Sequence, residues 1–161
     1  GILDHAPAMM PLIGPTPNCY RRLKPHTFAP SNISWGIEDR TAMVRVKATK
    51  DEGTHLEMRA GSGLSNPYLS AAATLAAGLL GLKDKPDLQP MSDGPSEEDA
   101  TLMPFPKTLD AALEALAADA QMKEMLGAEF CHLFSTVKAY ELNRFHEHIT
   151  DWEVSEYLEI Y

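Results

Sequence analysis

The spacing of apolar residues changes twice along the chain, and each change marks a different kind of element. Residues 1–12 place Ile2, Leu3, Ala6, Met9 and Met10 at helical spacing with no capping residue ahead, which predicts a helix entered from its interior. Pro11, Pro15 and Pro17 predict an irregular connection after it. Between residues 33 and 59 the period becomes two. Ala42, Val44 and Val46 share one face, and Thr41, Met43, Arg45 and Lys47 share the other. Past a polar connection at 50–53, Leu56 and Met58 oppose His55, Glu57 and Arg59. The pattern predicts two or three antiparallel strands, each with an apolar face on a core and a charged face turned away from it.

Helical spacing returns after a glycine-containing turn at 60–65. Asn66 suits a cap and Pro67 a first turn, so a helix is predicted over 66–80, with Gly81 as its stop. Its many alanines and glycines permit close backbone approach, and it is expected to lie against the sheet. Residues 83–107 hold five of the 12 prolines and the acidic run Glu97-Glu98-Asp99, and read as a long surface connection. Thr108 caps a predicted helix over 109–118. A longer one over 128–146 carries Phe130, Leu133, Phe134, Val137 and Leu142 at helical spacing. Thr150-Asp151-Trp152-Glu153 has the capping-box pattern and opens a last helix to Tyr161. Tyr140, Phe145 and Trp152 are expected in the core or an interface. Strands come first and helices afterwards. The fold class is α+β: part of a curved antiparallel sheet followed by a helical C-terminal region.

Composition narrows the function classes. At 161 residues, with 44% hydrophobic and 23% charged, the chain suits one globular domain and carries no disorder bias. Cys19 and Cys131 are far apart and in no CxxC pair, which argues against a disulfide framework or zinc site and fits a reducing, cytoplasmic setting. No signal-peptide pattern is present, and the apolar run at 69–82 is shorter than the ~20 residues a bilayer requires. A net charge of −9 argues against nucleic-acid and membrane-surface partners. The charge is nonetheless uneven. Residues 21–59 hold eight of the 14 basic residues against five acids, including Arg21, Arg22, Arg40, Arg45 and Arg59. Arginine suits forked recognition of carboxylates and phosphates, so an arginine island in an acidic chain suggests a small anionic ligand. Pairing with neighbouring acids on a solvated surface is the alternative.

Glu57 and Arg59 lie two apart on a strand and share a face with His55, an arrangement that suits either a metal ligand beside an anion site or a surface ion pair. Arg40 and Arg45 cannot be given a ligand by spacing alone. Gly61-Ser62-Gly63 lacks the lysine and hydroxyl of a phosphate loop, and neither a nucleophile elbow nor a zincin helix occurs. His146 and His148 flank Glu147 at a helix end, where solvated histidines are common. The residues alone point to an anion-binding α+β domain.

Several segments in one register carry a resemblance. Pro17-Asn18-Cys19-Tyr20-Arg21-Arg22-Leu23, Ala29-Pro30, Ser34-Trp35-Gly36, Asp39-Arg40-Thr41, Val44-Arg45-Val46, Leu56-Glu57-Met58-Arg59 and Asn66-Pro67-Tyr68 resemble the C-terminal part of the catalytic domain of the glutamine synthetase family. The likeness is dense over residues 1–82 and thinner to Tyr161. It implies that residues 1–161 are the C-terminal portion of such a domain, with a β-grasp domain and the upstream half of the catalytic domain lying before residue 1. It implies a ligase that phosphorylates the γ-carboxylate of glutamate with ATP and displaces phosphate with ammonia or an amine, using Mg²⁺ or Mn²⁺, in a homo-oligomeric ring. By position, Arg22 and Arg59 would hold the glutamate carboxylates. Arg40 and Arg45 would hold the nucleotide phosphates, with Arg40 also meeting the transferring phosphoryl group as the catalytic residue. Glu57 would ligate the metal.

Departures from the family pattern refine this expectation. Cys19 replaces a serine. His55 stands where many members have an arginine near the nucleotide; an imidazole there can still stack on the base but is a weaker phosphate ligand. Phe28 stands where ammonia-using members carry a flap glutamate that binds and deprotonates ammonium; an apolar group there suits an amine with a carbon tail, as in the γ-glutamylpolyamine and γ-glutamylmonoamine synthetase branch. An ammonia-using enzyme and a catalytically silent relative are the alternatives. Residues 86–106 contain no tyrosine, so the adenylylation site of regulated bacterial members is absent. The chain by itself is expected to be inactive.

Overall fold

Helix α1 (Ala6–Ile13) is the centre of the molecule, because it is apolar on every side. Ala6, Ala8, Met9, Met10, Leu12 and Ile13 are all buried, as expected of a helix without a polar stripe. The computed structural model describes residues 1–158 and 160. Pro11 lies inside α1 rather than after it, so the irregular connection starts only at Gly14. A five-residue helix α2 (Pro17–Arg21) then leads to the strands β1 (Trp35–Ile37), β2 (Val44–Lys47) and β3 (His55–Met58).

The sheet has the order β1-β2-β3. Strands β2 and β3 are antiparallel as expected, with Val44 opposite Met58, Arg45 opposite Glu57, Val46 opposite Leu56 and Lys47 opposite His55. Strand β1 differs: it runs parallel to β2, with Trp35 opposite Val44. The cause is the connection at 38–43, which does not make a hairpin. Glu38 takes a left-handed φ of 56° and its N–H bonds the Val46 carbonyl, while Val44 N–H bonds the Ser34 carbonyl. The chain therefore doubles back and runs in the same direction again. The period-two faces hold. Met43 is the exception: it falls on the charged side by alternation and is fully buried in the core.

Helix α3 (Pro67–Asp84) starts at Asn66, whose side chain accepts from the N–H groups of Tyr68 and Leu69. It runs past Gly81 to a left-handed cap at Lys85. Gly81 is not a stop but a contact point: a Cβ there would lie 2.6 Å from the Gly1 nitrogen. The small face of α3 (Ala73, Ala76, Ala77) packs chiefly on α1 and on α5 (Ala120–Leu126), not on the sheet as expected. Residues of α3 and of the apolar sheet face, among them Leu82, Gly78, Trp35, Val46 and Leu56, instead line an open groove.

The 83–107 segment is less superficial than its composition suggests. It follows the β1 edge: Trp35 Nε1 donates to the Gln89 carbonyl at 2.8 Å, and Ile33 N–H donates to the Met103 carbonyl at 2.8 Å. A 3₁₀ turn, Ser96–Glu98, buries Ser96 completely. Helices α4 (Leu109–Ala118) and α6 (Ala128–His146) match the expected bounds. Helix α5 between them was not foreseen. Asp119 caps it, and the same carboxylate accepts from His5 Nδ1 at 2.7 Å, tying the start of α1 to the α4–α5 junction.

Helix α7 (Asp151–Tyr157) opens with both bonds of the capping box and ends at Tyr157; Tyr161 lies outside the described residues. Neither α6 nor α7 is buried deeply. Tyr140 and Trp152, expected inside or at an interface, are 64% and 62% exposed. Cys19 and Cys131 are buried free thiols. Among the described residues no helix is long and apolar enough to cross a membrane.

Candidate functional site

Alternation along β2 and β3 brings Arg45, Lys47, His55, Glu57 and, one step beyond the strand, Arg59 to one side of the sheet. The antiparallel register then sets Arg45 directly across from Glu57. The guanidinium forks: Nη1 donates to both Glu57 oxygens at 3.2 Å, and Nη2 donates to Glu38 Oε2 at 2.5 Å. Lys47 Nζ reaches the same Glu38 oxygen at 3.1 Å. Glu57 also faces His55 Nε2 at 3.7 Å and Arg59 Nη1 at 3.8 Å. One carboxylate thus sits among three cationic or basic groups.

Electrostatics follow from these contacts. At Glu57 desolvation works to raise the carboxyl pKa, but the Arg45 hydrogen bonds and charge, then Arg59 and His55, outweigh it and hold it below the usual carboxylate range. Glu38 is also held low, first by its hydrogen bond from Lys47 and then by Arg45. Arg45 is pushed up by Glu38 most strongly, with Glu57 adding to it against desolvation. The two carboxylates and the Arg45 guanidinium are therefore ionised at neutral pH.

Arg59 extends the cluster to a loop. Its Nη2 donates to the Phe28 carbonyl at 3.3 Å, and its backbone N–H bonds the Met43 carbonyl. Phe28 is 96% exposed with φ 58°, and His26 has φ 62°. Two non-glycine residues in the left-handed region within three positions make this loop, residues 24–30, a strained one. Arg22 lies next along the same edge, its Nη2 donating to the carbonyls of Ala60 at 2.7 Å and Gly61 at 3.0 Å. Arg22, Arg45 and Arg59 each keep a buried Nε–H without a hydrogen-bond partner. Buried donors are ordinarily satisfied, so three orphaned ones on one edge suit an anionic ligand.

Arg40 stands apart. It lies on the exposed turn after β1, and lines a groove with Glu38, Asp39, Thr41, Met91 and Gly94. Among the described residues its guanidinium has no hydrogen-bond or ion-pair partner. Glu38 links it to the Arg45 cluster, since it borders the groove and pairs with Arg45. The turn itself is fixed: Asp39 accepts from the N–H and hydroxyl of Thr41, both at 2.7 Å, and from Ser96. Of the residues singled out in sequence, the structure brings Arg45, Glu57, Arg59 and His55 together, sets Arg22 beside them, and leaves Arg40 on a neighbouring wall.

Two contributors were missed. Lys47 was readable from its parity with Arg45. Glu38 gave no signal, since only the doubled-back connection carries it onto the charged face. For a divalent ion the donor set is incomplete: among the described residues no group of three His, Cys, Asp or Glu can hold one. Glu57 supplies one hard oxygen ligand and His55 a nitrogen, short of the six oxygen-rich positions Mg²⁺ prefers.

The family model for the glutamine synthetase catalytic domain matches residues 1–157. Glutamine synthetase of Methanococcus maripaludis is 38% identical over 99% of the chain and 37% of its own length. γ-Glutamylputrescine synthetase PuuA of Escherichia coli is 34% identical over 96% of the chain and 32% of its own length. The solved GmaS/ADP complex superposes with a TM-score of 0.86 at 33% identity, over 99% of the chain and 38% of that structure. The chain thus spans little more than a third of the relatives it matches. With its sequence and its fold in agreement, the chain belongs to the glutamine synthetase family, within the catalytic domain.

Proposed function

We propose that these 161 residues are the C-terminal part of the catalytic domain of an ATP-dependent ligase that joins an amine to the γ-carboxylate of glutamate. The observation that carries this reading is the cluster of Arg45, Glu57 and Arg59 on one sheet face, with their orphaned guanidinium nitrogens. In the reaction, ATP transfers its terminal phosphoryl group to the γ-carboxylate. The amine nitrogen then attacks the acyl phosphate, loses a proton and expels phosphate, leaving a γ-glutamyl amide. Charge spreads over the phosphoryl oxygens during transfer, and fixed guanidinium groups stabilise it without reorganising.

Arg45 and Arg40 take the nucleotide phosphates, Arg40 also meeting the group in transfer; its lack of a protein partner leaves it available for one. Arg22 and Arg59 bind glutamate, and His55 lies toward the nucleotide. The likeness to a GmaS/ADP complex supports the nucleotide side. Glu57 would be one ligand of Mg²⁺ or Mn²⁺, which when bound would offset the negative charge of the phosphates; the remaining ligands would come from elsewhere in the full-length enzyme. The same reading makes the working enzyme a cytoplasmic homo-oligomeric ring.

Phe28 favours an amine with a carbon tail over ammonia. Its ring is exposed, its backbone carbonyl accepts from Arg59, and it has no group able to take a proton from ammonium. Ammonia use is the second reading, favoured by the identity to archaeal glutamine synthetases. Assaying the full-length enzyme with ammonia, ethanolamine and putrescine separates them: the amine reading requires a kcat/KM for an amine at least about tenfold above that for ammonia. Turnover confined to ammonia overturns it, and failure to bind Mg-ATP in a titration would mark a catalytically silent relative.

A further inference from the structure

The Ser96–Glu98 turn, part of a segment whose composition suggests mere connection, touches three walls of the proposed site. Ser96 N–H donates to Asp39 Oδ2 at 3.2 Å, and its hydroxyl donates to the same oxygen. Its carbonyl accepts from Asn32 Nδ2 at 2.6 Å. Glu97 N–H lies 3.4 Å from Thr41 Oγ1, so the turn that bears Arg40 is held from both ends. The Glu97 side chain points the other way. Its Oε2 accepts from His26 N–H at 2.8 Å, and its Oε1 is 3.6 Å from His26 Nδ1. Glu97 is only 14% exposed, against 80% for His26.

That bond falls where backbone strain is concentrated. His26 and Phe28 are both left-handed, a conformation that persists only when the surroundings over-determine it. Within the loop, Thr27 Oγ1 bonds the carbonyls of Arg22 and Lys24, and at His26 it is Glu97 that reaches the loop from a distant part of the chain. The Phe28 carbonyl, two residues on, accepts from Arg59, whose other terminal nitrogen faces Glu57.

We propose that Glu97 is a positioning residue for the amine end of the site: by holding the His26 N–H it fixes the backbone of residues 26–28, sets the Phe28 carbonyl on Arg59, and so fixes the point from which the Phe28 ring projects. The kinetic consequence rests on the ligase reading; the structural one rests on geometry alone. The test uses the full-length enzyme with Glu97→Ala and Glu97→Gln, steady-state kinetics in the amine, and hydrogen exchange of residues 24–30. Glu97→Ala is expected to speed exchange at His26 and its neighbours by at least about tenfold. It should raise the amine KM by roughly 5–20-fold while kcat stays within about threefold. Glu97→Gln keeps an oxygen that accepts from the His26 N–H and is expected to recover most of both effects. Unchanged exchange in Glu97→Ala overturns the proposal, and so does faster exchange with an unchanged amine KM. An unsubstituted enzyme with no glutamate-dependent ATP turnover would sink the ligase reading instead, leaving the exchange rates to decide whether Glu97 holds the loop.

Discussion

Arg45 and Arg40 are opposites within one small region, and the contrast dictates what each substitution reports. Arg45 is 91% buried, forks between Glu38 and Glu57, and supports the sheet as well as any ligand. Removing it leaves Glu57 without its main counter-charge and Glu38 with Lys47 alone, so Arg45→Ala is expected to lower thermal stability and function together. Among the described residues Arg40 makes no side-chain hydrogen bond or ion pair that its loss would break. In the full-length enzyme Arg40→Ala is therefore expected to leave the melting temperature unchanged and lower the rate by about 10²–10³-fold, the scale of losing one preorganised charge-stabilising donor. A loss under about threefold removes Arg40 from the site. Asp39 gives a prediction in pH. Burial acts to raise its carboxyl, but hydrogen bonds from Ser96 and Thr41 prevail and hold it below its ordinary 3.8. A depressed folded-state value contributes stability above the unfolded value, and that contribution is lost as pH falls below 3.8 through the folded one. Thermal melts between neutral pH and pH ~2 should show Asp39→Asn less stable at neutral pH and flatter on the acid side; parallel curves would exclude the linkage. Alternation alone revealed Arg45, Glu57 and Arg59 as sharing a face. Nothing in the sequence revealed Glu38 or Glu97, whose partners lie across turns whose shape no short pattern encodes.

Helix starts were legible at three of the positions where a side chain caps the first turn. Asn66, Thr108 and Thr150 each accept the backbone N–H their identity suggests. Glycines were harder, because a glycine can end a helix or admit a neighbour. Gly81 admits one: an added Cβ would lie 2.6 Å from Gly1 N, and something must shift. Gly78, one turn earlier, has nothing within 4 Å of the same position. Alanine gains up to ~1 kcal/mol over glycine inside a helix. Gly78→Ala is accordingly expected to stabilise the chain by about 0.5–1 kcal/mol, and Gly81→Ala to destabilise it despite the same propensity gain, both read from urea unfolding midpoints. Equal shifts of the same sign would mean that residue 1 does not pack on α3 as described. Helix α5 escaped notice because seven residues are too few for a periodic signal, although Asp119 and Gly127 bracket it. Strand direction escaped as well: alternation fixes which way side chains face but carries no information on whether a neighbour runs parallel.

At the scale of the whole molecule the family was legible from ordered segments, whereas the arrangement around them was not. The core gathers on α1, α3 and α4, and the apolar side of the sheet stays partly open, with Leu56 61% and Leu82 74% exposed. The charged side carries Glu38 and Glu57, both paired with Arg45, and no three-residue ligand group occurs among the described residues. We therefore expect the purified 161-residue chain to release no phosphate from ATP in the presence of glutamate and amine, and measurable release would contradict the incomplete-site reading. The doubled-back connection between β1 and β2 has a consequence for how the family varies. Side-by-side strands running the same way ordinarily need about a dozen intervening residues or more, and here six suffice. Such a tether has no slack. One residue more or less would slide β2 by a single step and exchange its two sides, turning Arg45 toward the apolar groove and Val44 toward the anion. Relatives should tolerate gaps freely across residues 83–95 and almost never across 38–43, which makes that six-residue stretch a ruler for deciding which distant members can still assemble the arginine face.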